Sequence, residues 1–241
     1  MQIIIPELAR SPYAPIVIGS VIIGFAVTIY RLRRSGISKQ SVLYTCLLTF
    51  VCTLITSLIF SFKITSEGIG AGFSGLGAAV GMIAGVFISG LIIKDKPEIV
   101  MAAFVSSAPL MYALAKTGCL LAGCCHGKEY YGPFAVIHTG GEHAGSFFPA
   151  QIIDMIAFLA IHVFALILTT KMKNKVHAIY LILAVTIPVR FLLEYLKYTH
   201  DGSLISSGQI TVLIAGAVCL IIVFLWQKLL KIGSSGHKTE L

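Results

Sequence analysis

The chain has 241 residues, of which 57% are hydrophobic and 12% charged, and its mean hydropathy is +0.92. A soluble domain carries roughly 25% charged residues, so an ordinary water-soluble fold is excluded and the long apolar runs read as membrane crossings. The formal charge of +8 belongs with loop topology and anionic headgroups, because the basic residues flank apolar runs, and no nucleic-acid partner is expected.

The apolar pattern predicts an all-α, polytopic integral membrane protein with a single membrane domain over 1–241. Seven spans are expected, at about 13–32, 42–62, 69–93, 98–117, 148–170, 177–195 and 206–228. The opening MQIIIPELARSPYAP lacks a basic start, so the first run reads as an uncleaved span rather than a leader. Basic residues such as Arg33, Arg34, Lys94, Lys96, Lys171 and Lys173 gather in alternate connections. That bias predicts an N-outside, C-inside topology, with the 118–147 and 196–205 loops on the outer side. The polar tail from Gly233 is expected to fray. The third span is rich in small residues. Gly68, Gly72 and Gly81 supply small-xxx-small spacing, which predicts close helix packing.

Residues 116 to 132, KTGCLLAGCCHGKEYYG, break the apolar wall. They gather Lys116, Cys119, Cys124, Cys125 and His126. Gly118, Gly123 and Gly127 lie between them, where the backbone can turn and a ligand can approach closely. His126 is the candidate general base, since imidazole titrates near neutral pH. His138 and His143 flank TGGE and read as solvated loop, and His162 reads as a packed residue on an apolar span. Cys46, Cys52 and Cys219 sit in apolar runs and read as small core residues. The C-x4-C-C-H spacing of Cys119, Cys124, Cys125 and His126 matches no familiar structural zinc pattern. No metal and no other cofactor is expected.

Charge within a span costs roughly 2.5–3.5 kcal/mol at the helix centre on insertion scales, so its few bearers are informative. Arg190 and Glu194 are spaced i, i+4 and share a helix face. Pairing alone accounts for them; a planar guanidinium near the membrane boundary also makes a good phosphate clamp. Lys116 reads either as a snorkelling lysine or as a second cation for a phosphate. Asp154, near the start of the fifth span, suits the helix dipole. Gln151 lies with it at the start of that span, and Gln209, at the start of the seventh, reads as an interfacial polar residue.

These residues carry a resemblance to the prolipoprotein diacylglyceryl transferase family. GFSGLGAAVG resembles its glycine-rich motif and KTGCLLAGCCHGK its signature segment. FPAQIIDM, RFLLEYLKYTHDG and SSGQI resemble three further motifs, in the same order. The family's members are seven-span bacterial membrane enzymes. They move the diacylglyceryl group of phosphatidylglycerol onto a lipoprotein cysteine and release glycerol phosphate. The resemblance carries over Arg190, Glu194, Gln151 and Gln209 as kept site residues; read together with the residue chemistry above, His126, Arg190 and Lys116 are the expected catalytic residues, and Gly118, Cys119, Gly123, Gln151, Glu194 and Gln209 the expected substrate contacts. It implies phosphatidylglycerol, membrane lipid and a lipoprotein precursor with a lipobox cysteine as partners, in the bacterial cytoplasmic membrane. The sequence also departs from the pattern. Leu76 and Phe148 stand where the family has histidines, Lys116 where it has arginine, and Cys119 and Cys124 where it has asparagine and glutamate. The phosphate-binding half is kept and the acid/base half is rewritten. Three alternatives follow: a lipid-modifying transferase of the same fold with another acceptor, a non-enzymatic lipid-binding or transport protein, or a metal or thiol-redox role for the cysteine cluster.

Overall fold

The computed structural model describes residues 2–6, 11–61, 63–65, 68–70, 73–140, 144–200 and 204–236. Among the described residues there are seven α-helices: α1 Tyr13–Arg34, α2 Lys39–Ser61, α3 Gly75–Ile93, α4 Pro97–Ala122, α5 Ala150–Lys171, α6 Lys175–Leu193 and α7 Ser207–Gly236. All seven are long and apolar enough to cross a membrane. Even α3, with 19 residues, spans about 28 Å at 1.5 Å per residue, close to the thickness of a hydrocarbon core.

The helix ends follow local chemistry. Ser74 caps α3 by accepting the Gly77 N–H at 3.2 Å, and Asn174 caps α6 by accepting the His177 N–H at 3.0 Å. Pro97 occupies the first turn of α4, where a missing N–H costs nothing. Gly123 ends α4 in the left-handed region, with φ 76°.

Several boundaries differ from the sequence expectation. The third span starts at Gly75 rather than 69, because Gly68–Gly70 pairs as a strand with Lys63–Thr65. The fourth continues to Ala122, so Lys116, Gly118 and Cys119 are helical and Gly118 is no turn. A methyl group on Gly118 would meet the Tyr13 carbonyl oxygen at 3.3 Å, so its small size lets α1 approach α4. The seventh helix runs through Gly236, past the point where the tail was expected to fray. His143, Gly72 and residues 237–241 lie outside the described residues.

Close helix packing is present on α3 and includes the expected Gly81. Gly77, Gly81 and Gly85 form a stripe against α2. A Cβ would meet the Thr56 carbonyl oxygen at 2.5 Å from Gly77 and the Thr49 Cα at 2.6 Å from Gly85. At Gly81 it would strike the Thr56 hydroxyl and the Cys52 carbonyl. Two backbones meet here with no side chain between them, as GxxxG spacing allows.

Leu32, Phe104, Met101, Ile179 and Trp226 fill the interior, whereas Ile22, Leu47, Ile55, Ile156 and Leu213 face outward and exposed. In water that outward face would be a liability; against lipid tails it is solvated. Arg31 crosses the interior at one end, donating to Ser106 and to the Thr169 hydroxyl (2.8 Å), and so ties α1 to α4 and α5.

The chain alternates ends. The chain start and the α2–α3, α4–α5 and α6–α7 connections lie at one end, which holds the chemistry; the opposite end holds Arg33, Arg34, Lys94, Lys96 and Lys173. A small sheet covers the first end: β1 Ile3–Ile5, then β4 Val136–His138 and β5 Gly145–Phe147, with β1 parallel to β4 and β4 antiparallel to β5. The hairpin β2 Lys63–Thr65 and β3 Gly68–Gly70 lies beside α2 and α3 in the chain. His138 is therefore buried in a strand, not in solvated loop, because β4 is the middle strand of this sheet.

Candidate active site at the capped end of the bundle

Tyr112, Lys116 and Cys119 are spaced i, i+4 and i+7 on α4 and so share one face. Lys116 neither snorkels nor reaches water. Its Nζ lies 2.8 Å from Asp154 Oδ2 on α5, and the two side chains are only 6% and 2% exposed. Asp154 is thus an ion-pair partner rather than a dipole cap. The Tyr112 hydroxyl approaches the same carboxylate oxygen at 3.5 Å. The Tyr112 ring carries two cations over it, Lys116 at 5.3 Å and Arg190 at 5.6 Å from the centroid. Such contacts strengthen as water is removed.

Helix α6 ends in a 3-10 turn, Glu194–Leu196, and Arg190, Glu194 and Lys197 face the same way along it. Glu194 Oε2 accepts from Arg190 at 2.5 Å and from Lys197 Nζ at 2.7 Å. One carboxylate oxygen is therefore shared by two cations. Burial, then repulsion from Arg190 and Lys116, pulls the Lys197 ammonium down to about 8. Among the described residues, Arg190 Nε has no hydrogen-bond partner, although it is buried. The cluster as a whole sets three cations, Lys116, Arg190 and Lys197, against two carboxylates, Asp154 and Glu194.

Both glutamines are fully buried, so Gln209 is not interfacial. Gln151 Nε2 donates to the Cys124 carbonyl at 3.1 Å, and its Oε1 has no partner among the described residues. Gln209 Oε1 accepts the Ser206 N–H at 2.8 Å and its Nε2 reaches the Phe191 carbonyl at 3.4 Å, which ties the start of α7 to the end of α6. Gly208 lies directly against Glu194: a Cβ there would stand 2.5 Å from Oε1.

The three cysteines of the signature segment converge. The sulfur atoms of Cys119, Cys124 and Cys125 all lie within 4.8 Å of one another. Cys119 is on the last turn of α4. Gly123 then reverses the chain, and Cys125 itself takes a left-handed φ of 57°. Neighbouring side chains in extended backbone point apart; this turn brings them together. Hydrogen bonds from Cys119 and Cys124, aided by Lys116 and Lys197, hold the Cys125 thiol well below its ordinary range. Hydrogen bonding with Cys119 and Cys125 pushes the Cys124 thiol up.

His126 follows this turn. Its ring is buried between Phe147 (3.9 Å between centroids) and Tyr198 (4.3 Å, stacked). Its Nδ1 is 2.8 Å from the Gly127 carbonyl. A carbonyl only accepts, so Nδ1 carries the hydrogen and Nε2 is the basic nitrogen of the neutral ring. Gly127 is squeezed between two strands of chain: a Cβ would meet the Phe148 carbonyl at 2.5 Å and the Leu196 carbonyl at 3.1 Å. This close approach brings the His126 segment alongside Lys197, and the Tyr198 N–H donates to the His126 carbonyl at 3.2 Å.

Lys116, Arg190, Glu194, Gln151 and the three cysteines thus come to one end of the bundle, with Gln209 bracing the α6–α7 junction. Gly118 serves helix packing. Sequence reading missed Tyr112 and Lys197. Both carried a signal in their spacing, four residues before Lys116 and three after Glu194.

Comparison with known proteins bears on the family of the chain. A family model described as prolipoprotein diacylglyceryl transferase matches residues 2–227. A curated protein of Clostridium perfringens (strain 13 / Type A), phosphatidylglycerol–prolipoprotein diacylglyceryl transferase 2, is 31% identical over 157 residues. The matched segment is 61% of this chain and spans 60% of the length of that relative. The family match covers nearly every helix, including those that carry the charge cluster, and on that ground the chain is a multi-pass membrane protein that belongs to the prolipoprotein diacylglyceryl transferase family.

Proposed function

We propose that this protein transfers the diacylglyceryl group of phosphatidylglycerol to the cysteine thiol of a lipoprotein precursor bearing a lipobox, in the bacterial cytoplasmic membrane. The N-terminus lies outside in this reading, which puts the charge cluster at the outer leaflet. That orientation agrees with the lysine and arginine bias toward the opposite end. The observation that carries the reading is Arg190: a buried guanidinium with Nε unpartnered among the described residues, in a cluster where cations outnumber carboxylates. Such a group can donate to a phosphate oxygen without losing the Glu194 pair.

In the proposed mechanism the lipid phosphate docks against Arg190 and Lys116. The acceptor thiol passes its proton to His126 Nε2. Its sulfur attacks the glyceryl carbon that bears the phosphate ester, the C–S bond forms and the C–O bond breaks. The electron pair leaves with glycerol phosphate, where Arg190 and Lys116 stabilise the developing charge.

The test is transfer from phosphatidylglycerol vesicles to a lipobox peptide, read as thioether formation. Removing one preorganised donor costs roughly 10²–10³-fold in rate. Arg190→Lys keeps the charge but loses the planar fork, and is expected to fall in that range while remaining folded. Wild-type activity in Arg190→Lys and Arg190→Ala would refute the clamp. Unchanged activity in His126→Ala would remove the proton-acceptor role.

A further inference from the structure

We propose that Cys119, Cys124 and Cys125 form a three-thiolate site for a zinc(II) ion, whose fourth position receives the acceptor thiol. The second half of this proposal rests on the transferase reading above; the first half does not.

The geometry is that of a ligand set. Zinc binds thiolate at about 2.3 Å in a tetrahedron, which places sulfur atoms about 3.8 Å apart. Three sulfur atoms already within 4.8 Å of one another reach that spacing by small side-chain rotations. A disulfide would need only two of them and would leave the third without a purpose. Thiolates are the donors that select soft and d10 ions over magnesium or calcium.

The backbone supplies the second observation. Cys125 sits at φ 57°, a conformation that non-glycine residues adopt rarely and at some cost. That cost is what lets two adjacent cysteines point to one place, and the turn is held from outside itself. Gln151 donates to the Cys124 carbonyl, Tyr198 donates to the His126 carbonyl, and Gly127 is fixed against Phe148. The surroundings over-determine a turn whose one evident product is the convergence of three thiols.

Three protein ligands leave one position open, which is the catalytic rather than the structural arrangement of zinc. Transfer of an alkyl carbon to sulfur requires a thiolate, and a thiol bound to zinc is deprotonated outright. The step balances as follows. The acceptor S–H binds at the open position and its proton goes to His126 Nε2. A sulfur lone pair forms the C–S bond and the C–O pair leaves with glycerol phosphate. The thioether product is neutral and a weak ligand, so it departs; zinc stays divalent and nothing is oxidised or reduced.

The experiment uses the full-length protein purified in detergent without chelator. Metal analysis is expected to find about one zinc per chain, lost in Cys119→Ser, Cys124→Ser and Cys125→Ser and kept in Cys52→Ser. Cobalt(II) titrated into zinc-stripped wild type is expected to give the thiolate-to-metal charge-transfer bands and intense tetrahedral d–d bands of a thiolate site, saturating at about one equivalent. This reading requires no variant to fold. Adding a cysteine peptide is expected to shift the cobalt spectrum. Zinc-free wild type that fails to bind cobalt through sulfur, or an intact mass showing a disulfide among the three cysteines, would overturn the site. A cobalt spectrum indifferent to thiol would overturn the open position. Full transfer activity in zinc-free protein would overturn the metal's role and leave the transferase reading standing. Bound zinc in a protein that transfers nothing would overturn the transferase reading, and with it the acceptor role of the open position, and leave the zinc site standing.

Discussion

The Lys116–Asp154 pair gives the sharpest test of the charge cluster. At 2.8 Å and an effective dielectric constant of about 20, the Coulomb attraction is about 6 kcal/mol. Removing both ions from water takes back most of it, so the pair as a whole contributes little net stability. Breaking it is another matter. Asp154→Asn keeps the shape, and the amide still meets Tyr112, but it strands a buried ammonium. That is expected to cost about 3–5 kcal/mol. Replacing both partners, Lys116→Met with Asp154→Leu, is expected to cost much less than the sum of the two single changes. The assay is chemical unfolding in detergent micelles, run as a double-mutant cycle. A loss below about 1 kcal/mol for Asp154→Asn, the range of exposed pairs, would refute the burial argument. So would additive single and double effects, which belong to residues that do not interact.

Two further changes test packing and the carboxylate. Gly81→Ala drives a methyl into the Cys52 carbonyl and the Thr56 hydroxyl, so it is expected to destabilise the protein by about 1–3 kcal/mol in the same unfolding assay; an unchanged midpoint would show that α2 and α3 are not in backbone contact. Gly208→Ala places a methyl against Glu194 and is expected to lower transfer rate at near-normal stability, by displacing the carboxylate that positions Arg190; a rate equal to wild type in the vesicle assay would remove Gly208 from the site's support.

How much was legible can be judged from particular residues. The pairing of Arg190 with Glu194 followed from i, i+4 spacing, since a helix of 3.6 residues per turn puts them on one face. Lys197 extends the same face and was legible in principle, but the change from α-helix to a 3-10 turn at Glu194 hid it. Asp154 was misread as a dipole cap because its partner, Lys116, lies on another helix. The glycines of the third span were expected to pack a neighbour, and Gly81 does so together with Gly77 and Gly85, whereas Gly68 belongs to β3. Which of several overlapping small-residue registers faces α2 depends on where the helix begins, and the β2–β3 pairing delays that start to Gly75.

The amino-acid sequence by itself determined the membrane class, the seven helices, which end of each carries basic residues, and the resemblance to a family through five short motifs. These are properties of composition and of local period, and a helix in lipid satisfies its own backbone without help from its neighbours. Only the tertiary structure decided that Lys116 is neutralised by Asp154, that one oxygen of Glu194 serves two cations, and that the thiols of Cys119, Cys124 and Cys125 meet. The reason is that each depends on a contact between segments far apart in the chain, or on a single left-handed residue, Cys125, whose φ no spacing rule foretells. The same stretch that interrupts the apolar wall in the sequence becomes, in the fold, the turn that gathers three sulfur atoms beside a buried charge cluster.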